Sequence, residues 1–169
     1  MEHVLTGWLR FDPVEFKREQ AIKFDATHFY ESMAAAIAPM IDLTYGLMAD
    51  KTIIAVGEMR GEMVEEVLTL TAKTGTCVVT GMGAMVDVDV KLNLFLFTML
   101  QKTLKGNIFG GGNSHVETPR LVGLYKSGLL KIDEMVTSTY RLEDINQGYQ
   151  DMLDGKNIRG VIRYTEADW

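Results

Sequence analysis

The clearest pattern in the sequence is a pair of apolar runs separated by an amphipathic segment. Residues 52–56 form a continuous, β-branched apolar run of the kind buried on both faces of a parallel sheet, and residues 76–80 form a second. Between them, Met63, Val64 and Val67 recur at helical spacing, and Gly75 is the expected helix end. The pattern predicts a βαβ unit with a right-handed crossover.

Weaker patterns extend the alternation of strands and helices in both directions. We expect Asp12 to cap a helix that has Pro13 at its first position, and Thr118 and Pro119 to begin another helix that stops at Gly128. The remaining expected elements are a strand at 5–11, a short strand at 27–30, a helix from Ser32 with a second start at Pro39, a helix at 92–100, a strand at 104–109, a helix around 142–152 and a strand at 161–164. This order predicts an α/β fold with a mostly parallel sheet.

Composition restricts the functional class. A chain of 169 residues with 47% apolar residues can bury an ordinary core, and its net charge of −6 argues against non-specific nucleic-acid binding. The single cysteine, Cys77, excludes an intrachain disulfide and favours a reducing compartment. No signal peptide or membrane-length apolar run is present. We therefore expect a cytoplasmic protein with no nucleic-acid or membrane partner.

Three positions have the residue types of a nucleotide site, and each has a plainer explanation. Asp12 ends a predicted strand, where a carboxylate can bind ribose hydroxyls, although an Asp before Pro is also an ordinary helix cap. Arg159 could donate two hydrogen bonds to a pyrophosphate or be a surface arginine. Gly81-Met82-Gly83 begins like a phosphate-binding turn, but position 86 is Val, which favours a strand-end loop.

Catalytic and metal-binding patterns are missing from these residues. His3, His28 and His115 are scattered, without the spacing of a zinc site, and Cys77 lies in a predicted buried strand. We predict no catalytic residue and no metal ligand in this chain.

Several blocks in order resemble the C-terminal part of the zinc-dependent, medium-chain alcohol dehydrogenases. The blocks are residues 12–18, 25–28, 105–111, 144–149 and 158–159. The sequences of these blocks and of residues 90–95 most resemble the actinobacterial nicotinoprotein (NDMA-dependent) branch of the family. The resemblance spans residues 12–164. It implies a Rossmann-like NAD-binding fold and oxidation of alcohols or formaldehyde.

The resemblance also implies roles for matching positions. Asp12 would bind the adenosine ribose with Lys17 nearby, Val56 would contact adenine, and Arg159 would bind the pyrophosphate. The nicotinamide would meet backbone groups of Thr80, Asn107 and Phe109, together with Gly81 and Met82. The implied cofactor is NAD.

Parts of the family pattern have no match within these residues. They are the catalytic domain with its zinc ligands, the first Rossmann strand and the glycine-rich turn. We therefore expect residues 1–169 to form a single truncated NAD-binding domain. Its parallel sheet would be incomplete, with strand 1 missing and helices on both faces. The expected consequences are weak or absent NAD binding and inactivity of the chain alone. The alternative is a non-catalytic module that pairs with itself or with an intact dehydrogenase subunit through residues 92–109. A different Rossmann-like enzyme, such as a methyltransferase, is disfavoured because its glycine loop is missing too.

Overall fold

The computed structural model describes residues 7, 9–12 and 14–166, which divide into two compact units. The first unit contains residues 30–112, and the second contains residues 7–29 and the residues from 113 onward. In chain order the elements are β1 (Leu9–Phe11), α1 (Glu15–Lys23), β2 (His28–Tyr30), α2 (Met33–Thr44), β3 (Ala49–Ile54), α3 (Gly61–Leu70), β4 (Thr71–Val79), α4 (Leu94–Met99), β5 (Thr103–Gly106), α5 (Ser114–Lys126), β6 (Val136–Tyr140), α6 (Ile145–Leu153) and β7 (Arg159–Ile162).

The first unit is built on a parallel three-stranded sheet in the order β3-β4-β5. The predicted βαβ unit is confirmed, because α3 connects β3 to its parallel neighbour β4. The predicted helix end at Gly75 is wrong, since α3 ends at Leu70 and β4 begins at once with Thr71. Ala49 of β3 pairs with Thr71 of β4, whereas Lys51 pairs with Thr76. The residues of β4 between Thr71 and Thr76 therefore form a bulge, in which Thr74 has φ 61°.

The core of this unit lies where α3 packs on the sheet. Ile54, Val64, Val67, Leu68 and Cys77 form one buried cluster, and Cys77 is completely inaccessible to solvent. Val64, Val67 and Leu68 are spaced three and four residues apart, so they share one face of α3. Burial of this face holds the helix against β3 and β4.

Two prolines that are predicted to begin helices lie inside helices instead. Pro39 is predicted to begin a second helix, yet it lies inside α2, which continues from Met33 to Thr44. Ser32 caps this helix, because its Oγ accepts from the Ala35 N–H at 3.2 Å. Pro119 likewise lies inside α5, because Asn113 caps that helix earlier and its Oδ1 accepts from the His115 N–H at 3.0 Å.

The second unit contains a βαβ arrangement that the sequence patterns missed. Strands β6 and β7 are parallel and are connected through α6, with Tyr140 paired to Ile162. Strand β6 has the sequence Val-Thr-Ser-Thr-Tyr, whose β-branched and aromatic residues are typical of a strand. Strands β1 and β2 form a separate two-stranded sheet.

The α/β class with parallel strands is confirmed. The expectation that residues 1–169 form one domain stays a prediction, and part of the expected strand at 5–11 falls outside the described residues. No helix in the part of the chain that the structure describes is long and apolar enough to cross a membrane.

Candidate functional site

The carboxyl ends of β3, β4 and β5 lie along one edge of the first unit's sheet. The strands end at Ile54, Val79 and Gly106, and the predicted site residues follow them directly. In parallel α/β sheets, ligands bind outside this edge. The predicted positions Val56, Thr80, Gly81, Met82 and Asn107 all belong to these strand-end loops.

Hydrogen bonds connect the loop after β4 to the end of β3. The Ile54 carbonyl accepts from the Thr80 N–H at 3.0 Å and from its Oγ1 at 3.0 Å. The Gly81 N–H donates to the same carbonyl at 3.3 Å. Thr80 and Gly81 are therefore held in a defined backbone conformation at the sheet edge.

Close packing explains the glycine at position 81. A Cβ there would lie 2.8 Å from the Val56 carbonyl oxygen, nearer than a side chain can approach. The Met59 N–H also donates to the Met82 carbonyl at 3.1 Å. The loops after β3 and β4 consequently pack against each other, and the Met82 side chain, 74% exposed, faces solvent.

The segment after β5 begins with a similar anchor. The Asn107 N–H donates to the Val79 carbonyl at 2.9 Å, which extends the contact between β4 and β5 beyond the sheet. Phe109 follows with φ 49° and is 97% exposed, and Gly110 and Gly111 also have positive φ. Gly111 has φ +67°, a conformation that side chains rarely adopt, so this turn favours glycine.

A groove of about 390 Å³ lies beside these strand ends, within the same unit. Its walls include Val79, Gly81 and Gly106 at the strand ends and Asp87 and Asp89 from the following loop. The two carboxylates make this groove unfavourable for a phosphate. Apolar and sugar groups suit it better.

In the second unit, Asp12 follows the end of β1 and lies between two cations. Its Oδ2 is 3.4 Å from Lys17 Nζ and 3.5 Å from the Arg10 guanidinium, and its side chain is 13% exposed. The predicted N-cap role is wrong, because α1 begins at Glu15 with Val14 as its N-cap residue. Asp12 Oδ1 accepts instead from the Val14 N–H at 3.1 Å, which leaves α1 without a side-chain cap.

Arg159 is exposed at the start of β7, paired with Val136. A cavity of about 360 Å³ in the same unit has Arg10 and Lys17 among its lining residues, along with Asn157 and Ile158, which directly precede Arg159. Basic and amide groups thus line part of this opening, beside the apolar Phe24, Met135 and Met152. The polar groups suit a phosphorylated or hydroxylated ligand.

The predicted site residues therefore form two sets, one in each unit. Val56, Thr80, Gly81, Met82, Asn107 and Phe109 lie in the first unit, and Asp12, Lys17 and Arg159 lie in the second. Sequence reasoning missed Arg10, although Arg10 and Asp12 stand two residues apart in an extended segment and so share a face. Within residues 7, 9–12 and 14–166, no three His, Cys, Asp or Glu side chains are grouped to hold a metal ion.

Comparison with known families shows which family the chain belongs to. The sequence profile described as "Zinc-binding dehydrogenase" matches residues 10–127, more than half of the chain. The chain belongs to the zinc-binding dehydrogenase family. This family is NAD-dependent and has zinc in its catalytic domain, and the chain matches the C-terminal, NAD-binding part of zinc-type alcohol dehydrogenases.

Individual relatives support the membership. The chain is 57% identical over 157 residues to alcohol dehydrogenase B of Mycobacterium tuberculosis, covering 93% of this chain and 42% of that protein. It is 44% identical over 154 residues to the NDMA-dependent alcohol dehydrogenase of Amycolatopsis methanolica, covering 91% of this chain and 42% of the relative. The chain thus spans about 42% of the length of these relatives. The resemblance recognised from the sequence blocks is confirmed.

A solved structure confirms the Rossmann-like fold. Benzyl alcohol dehydrogenase from Acinetobacter calcoaceticus superposes with a TM-score of 0.82 at 22% identity, covering 95% of this chain and 43% of that one. At this identity the similarity concerns the fold.

Proposed function

We propose that this chain is the NAD-binding portion of a zinc-type alcohol dehydrogenase, which transfers hydride between an alcohol or formaldehyde adduct and NAD in the complete enzyme. The observation that carries the proposal is the position of Val56, Thr80, Gly81, Met82 and Asn107 along the carboxyl edge of one parallel sheet. This edge is where α/β folds bind dinucleotides. NAD, when bound, supplies the hydride acceptor.

The residues present fit the sugar and amide parts of NAD. A carboxylate has about four acceptor sites, and Asp12 uses its two oxygens for Val14 and the two cations, so acceptor capacity remains for ribose hydroxyls. The backbone groups of Thr80, Asn107 and Phe109 would hold the carboxamide. Gly81 packs its backbone closely against the Val56 carbonyl, which keeps the loops after β3 and β4 together at this edge.

The phosphates have a weaker site among these residues. Arg159 would bind the pyrophosphate, but the glycine pattern at Gly81 and Gly83 lacks its third glycine, since position 86 is Val. A Cβ on Gly83 would lie 3.2 Å from the Met59 carbonyl, so the spacing of this loop reflects packing. We therefore expect weak NAD binding and no dehydrogenase activity of these residues alone.

Titration of the purified chain with NADH and NADPH, followed by NADH fluorescence, tests the proposal. We expect a dissociation constant for NADH above the micromolar range and weaker binding of NADPH, because a 2′-phosphate replaces the ribose hydroxyl from which Asp12 would accept a hydrogen bond. Asp12→Asn should weaken NADH binding about tenfold and reduce the preference for NADH over NADPH.

Asp42→Asn is the matched control, since Asp42 is an exposed carboxylate in α2. It should change neither dissociation constant. Equal loss in both variants, or no NADH binding at millimolar concentration, contradicts the proposed site. Sub-micromolar NADH affinity contradicts the expected weakness.

An exposed apolar surface supports the second candidate function, an interaction module acting through residues 92–109. Strand β5 is an edge strand, and Leu94, Phe95 and Met99 of α4 are 68%, 71% and 61% exposed. Unpaired edges and apolar patches are typical of association surfaces. We propose that a second copy, or an intact dehydrogenase subunit, covers this surface.

Sedimentation velocity tests this second candidate. The chain should sediment as a dimer at micromolar concentration, and Phe95→Asp should shift it to the monomer because an unpaired charge would be buried. Met85→Asp is the control, since Met85 is fully exposed and lies outside residues 92–109. A monomeric wild-type chain that also fails to bind an intact dehydrogenase subunit contradicts the module.

A further inference from the structure

The Tyr140 hydroxyl joins β6 to the segment that precedes Arg159. It donates to Asp151 Oδ2 at 2.9 Å and accepts from Asn157 Nδ2 at 3.0 Å. Asn157 is only 6% exposed, so its amide depends on partners within the protein. The hydroxyl therefore connects an α6 carboxylate to a buried amide two residues before Arg159.

Two glycines make room for the Tyr140 ring. A Cβ on Gly148 of α6 would lie 3.2 Å from Tyr140 Cδ2, and a Cβ on Gly160 of β7 would lie 2.8 Å from Tyr140 Cε2. Gly160 directly follows Arg159. The ring thus contacts the backbone on the far side of Arg159, while its hydroxyl binds Asn157 on the near side.

A second residue of β6 anchors the same segment. The Ile158 N–H donates to Thr137 Oγ1 at 2.9 Å. Beyond it, Arg159 enters the parallel ladder opposite Val136. Three successive residues, from Asn157 to Arg159, are consequently tied to β6.

The acceptor of this network remains ionised at neutral pH. Hydrogen bonds from Gln147, and next from Tyr140, hold the pKa of Asp151 below its ordinary value. Gln147 Nε2 lies 2.8 Å from Asp151 Oδ1, and Tyr140 occupies the other oxygen. A charged acceptor strengthens the Tyr140 hydrogen bond.

We propose that Tyr140 and Asn157 are positioning residues for Arg159, which fix its backbone so that its side chain extends from a defined position to bind a pyrophosphate. This inference rests on the proposed function, in which Arg159 contacts that group. A backbone segment that is already ordered does not have to be ordered when the ligand binds, and this reduces the entropic cost of binding. The residues that fix it need not touch the ligand.

Binding of three probes to the full chain tests the proposal: NADH, ADP-ribose and adenosine. Tyr140→Phe removes the hydroxyl and retains the ring, so it should weaken NADH and ADP-ribose about three- to tenfold. Adenosine has no pyrophosphate and should bind within twofold of wild type in an NMR titration. A merely structural role would lower all three affinities equally, and that result overturns the proposal.

A double-mutant cycle shows whether the effect acts through Arg159. Arg159→Gln should weaken NADH about tenfold, and adding Tyr140→Phe to it should produce no further loss. Additive losses overturn the positioning role alone. An unchanged affinity in Arg159→Gln overturns both this inference and the assignment of Arg159 in the proposed function.

Further variants keep the test decisive. Tyr149→Phe removes another hydroxyl from the same unit, at a residue that is 58% exposed, and should change no affinity. If Tyr140→Phe does not fold, Thr137→Val removes the Ile158 anchor with little change of shape and should weaken NADH without affecting adenosine. Equal effects of Thr137→Val on both probes contradict the proposal.

Discussion

Asp89 caps a helix that begins 28 residues earlier in the chain, because its Oδ2 accepts from the Gly61 N–H at 2.9 Å. Gly61 is the first residue of α3, and the preceding residue, Arg60, provides no side-chain cap. The loop after β4 therefore supplies the acceptor that local sequence lacks. The same bond attaches the loop that borders the groove to the core helix.

Loss of this cap should destabilise the protein. Asp89→Ala leaves the Gly61 N–H without its acceptor and removes a negative charge from the positive end of α3. We expect the free energy of unfolding to fall by about 1 kcal/mol, measured from urea unfolding. Asp87→Ala, in the same loop, is the charge-matched control, and an equal loss there would show that net charge is the cause.

Gly61 should tolerate no side chain. A Cβ at this position would lie 2.5 Å from Asp89 Oδ1 and 2.7 Å from the Asp89 backbone carbon. Gly61→Ala should therefore cost about 1–3 kcal/mol, since the loop must move. Gly57→Ala, with no atom within 4 Å of its Cβ, should be nearly neutral in the same urea experiment. Similar values for the two variants would contradict close packing at Gly61.

Two glycines around the end of α5 should respond in opposite directions to alanine. Neither Cβ would meet an atom within 4 Å, but Gly123 lies inside the helix, whereas Gly128 has φ +74°. Gly123→Ala should raise the free energy of unfolding by about 0.5–1 kcal/mol through helix propensity. Gly128→Ala should lower it by about 1 kcal/mol, because the left-handed conformation strains any Cβ. Changes of the same sign in thermal unfolding would refute this distinction.

Cys77 should make the stability depend on alkaline pH. Burial raises the pKa of its thiol, opposed in part by a hydrogen bond with Thr52. Above about pH 8.5 the unfolded chain loses this proton while the folded chain retains it, so stability is full below that pH and declines above it. The stability of the wild type should therefore decline with pH more steeply than that of Cys77→Ala, by at most about 1.4 kcal/mol per pH unit, the limit for one proton.

Urea unfolding at several pH values between 7 and 10 measures this slope. Cys77→Ala is the reference because the lysines and tyrosines titrate in both proteins. Parallel stability profiles would show that the thiol ionises equally in the folded state. Ellman's reagent should react with Cys77 only after unfolding.

The strongest sequence predictions rested on local patterns. The βαβ unit around α3 was predictable because its strands are continuous apolar runs and its helix has a regular apolar face. The family resemblance assigned roles to strand-end residues, including Thr80 and Asn107, and those roles stay predictions. Strand β6 was not predicted, because a short polar, β-branched run can equally be a loop when its partner strand is not known.

Errors arose where another nearby residue or the pairing of two strands outweighed the signal at the predicted position. Asp12 was expected to cap a helix, but it pairs with Lys17 and Arg10 and binds the Val14 N–H. Pro119 was expected to begin α5, but Asn113 caps that helix earlier. Gly75 was expected to end α3, but the bulge opposite β3 allows the strand to begin at Thr71.

By itself, the sequence determined the α/β class and the family, since periodicity and motif blocks are carried by neighbouring positions along the chain. The residues that would contact NAD stay a prediction from the same resemblance. Only the tertiary structure decided that Asp89 caps α3 and that Tyr140 holds the segment before Arg159. Those contacts join residues far apart in sequence through burial and hydrogen-bond geometry. No local pattern encodes these contacts, because the sequence around each partner is compatible with several different contacts.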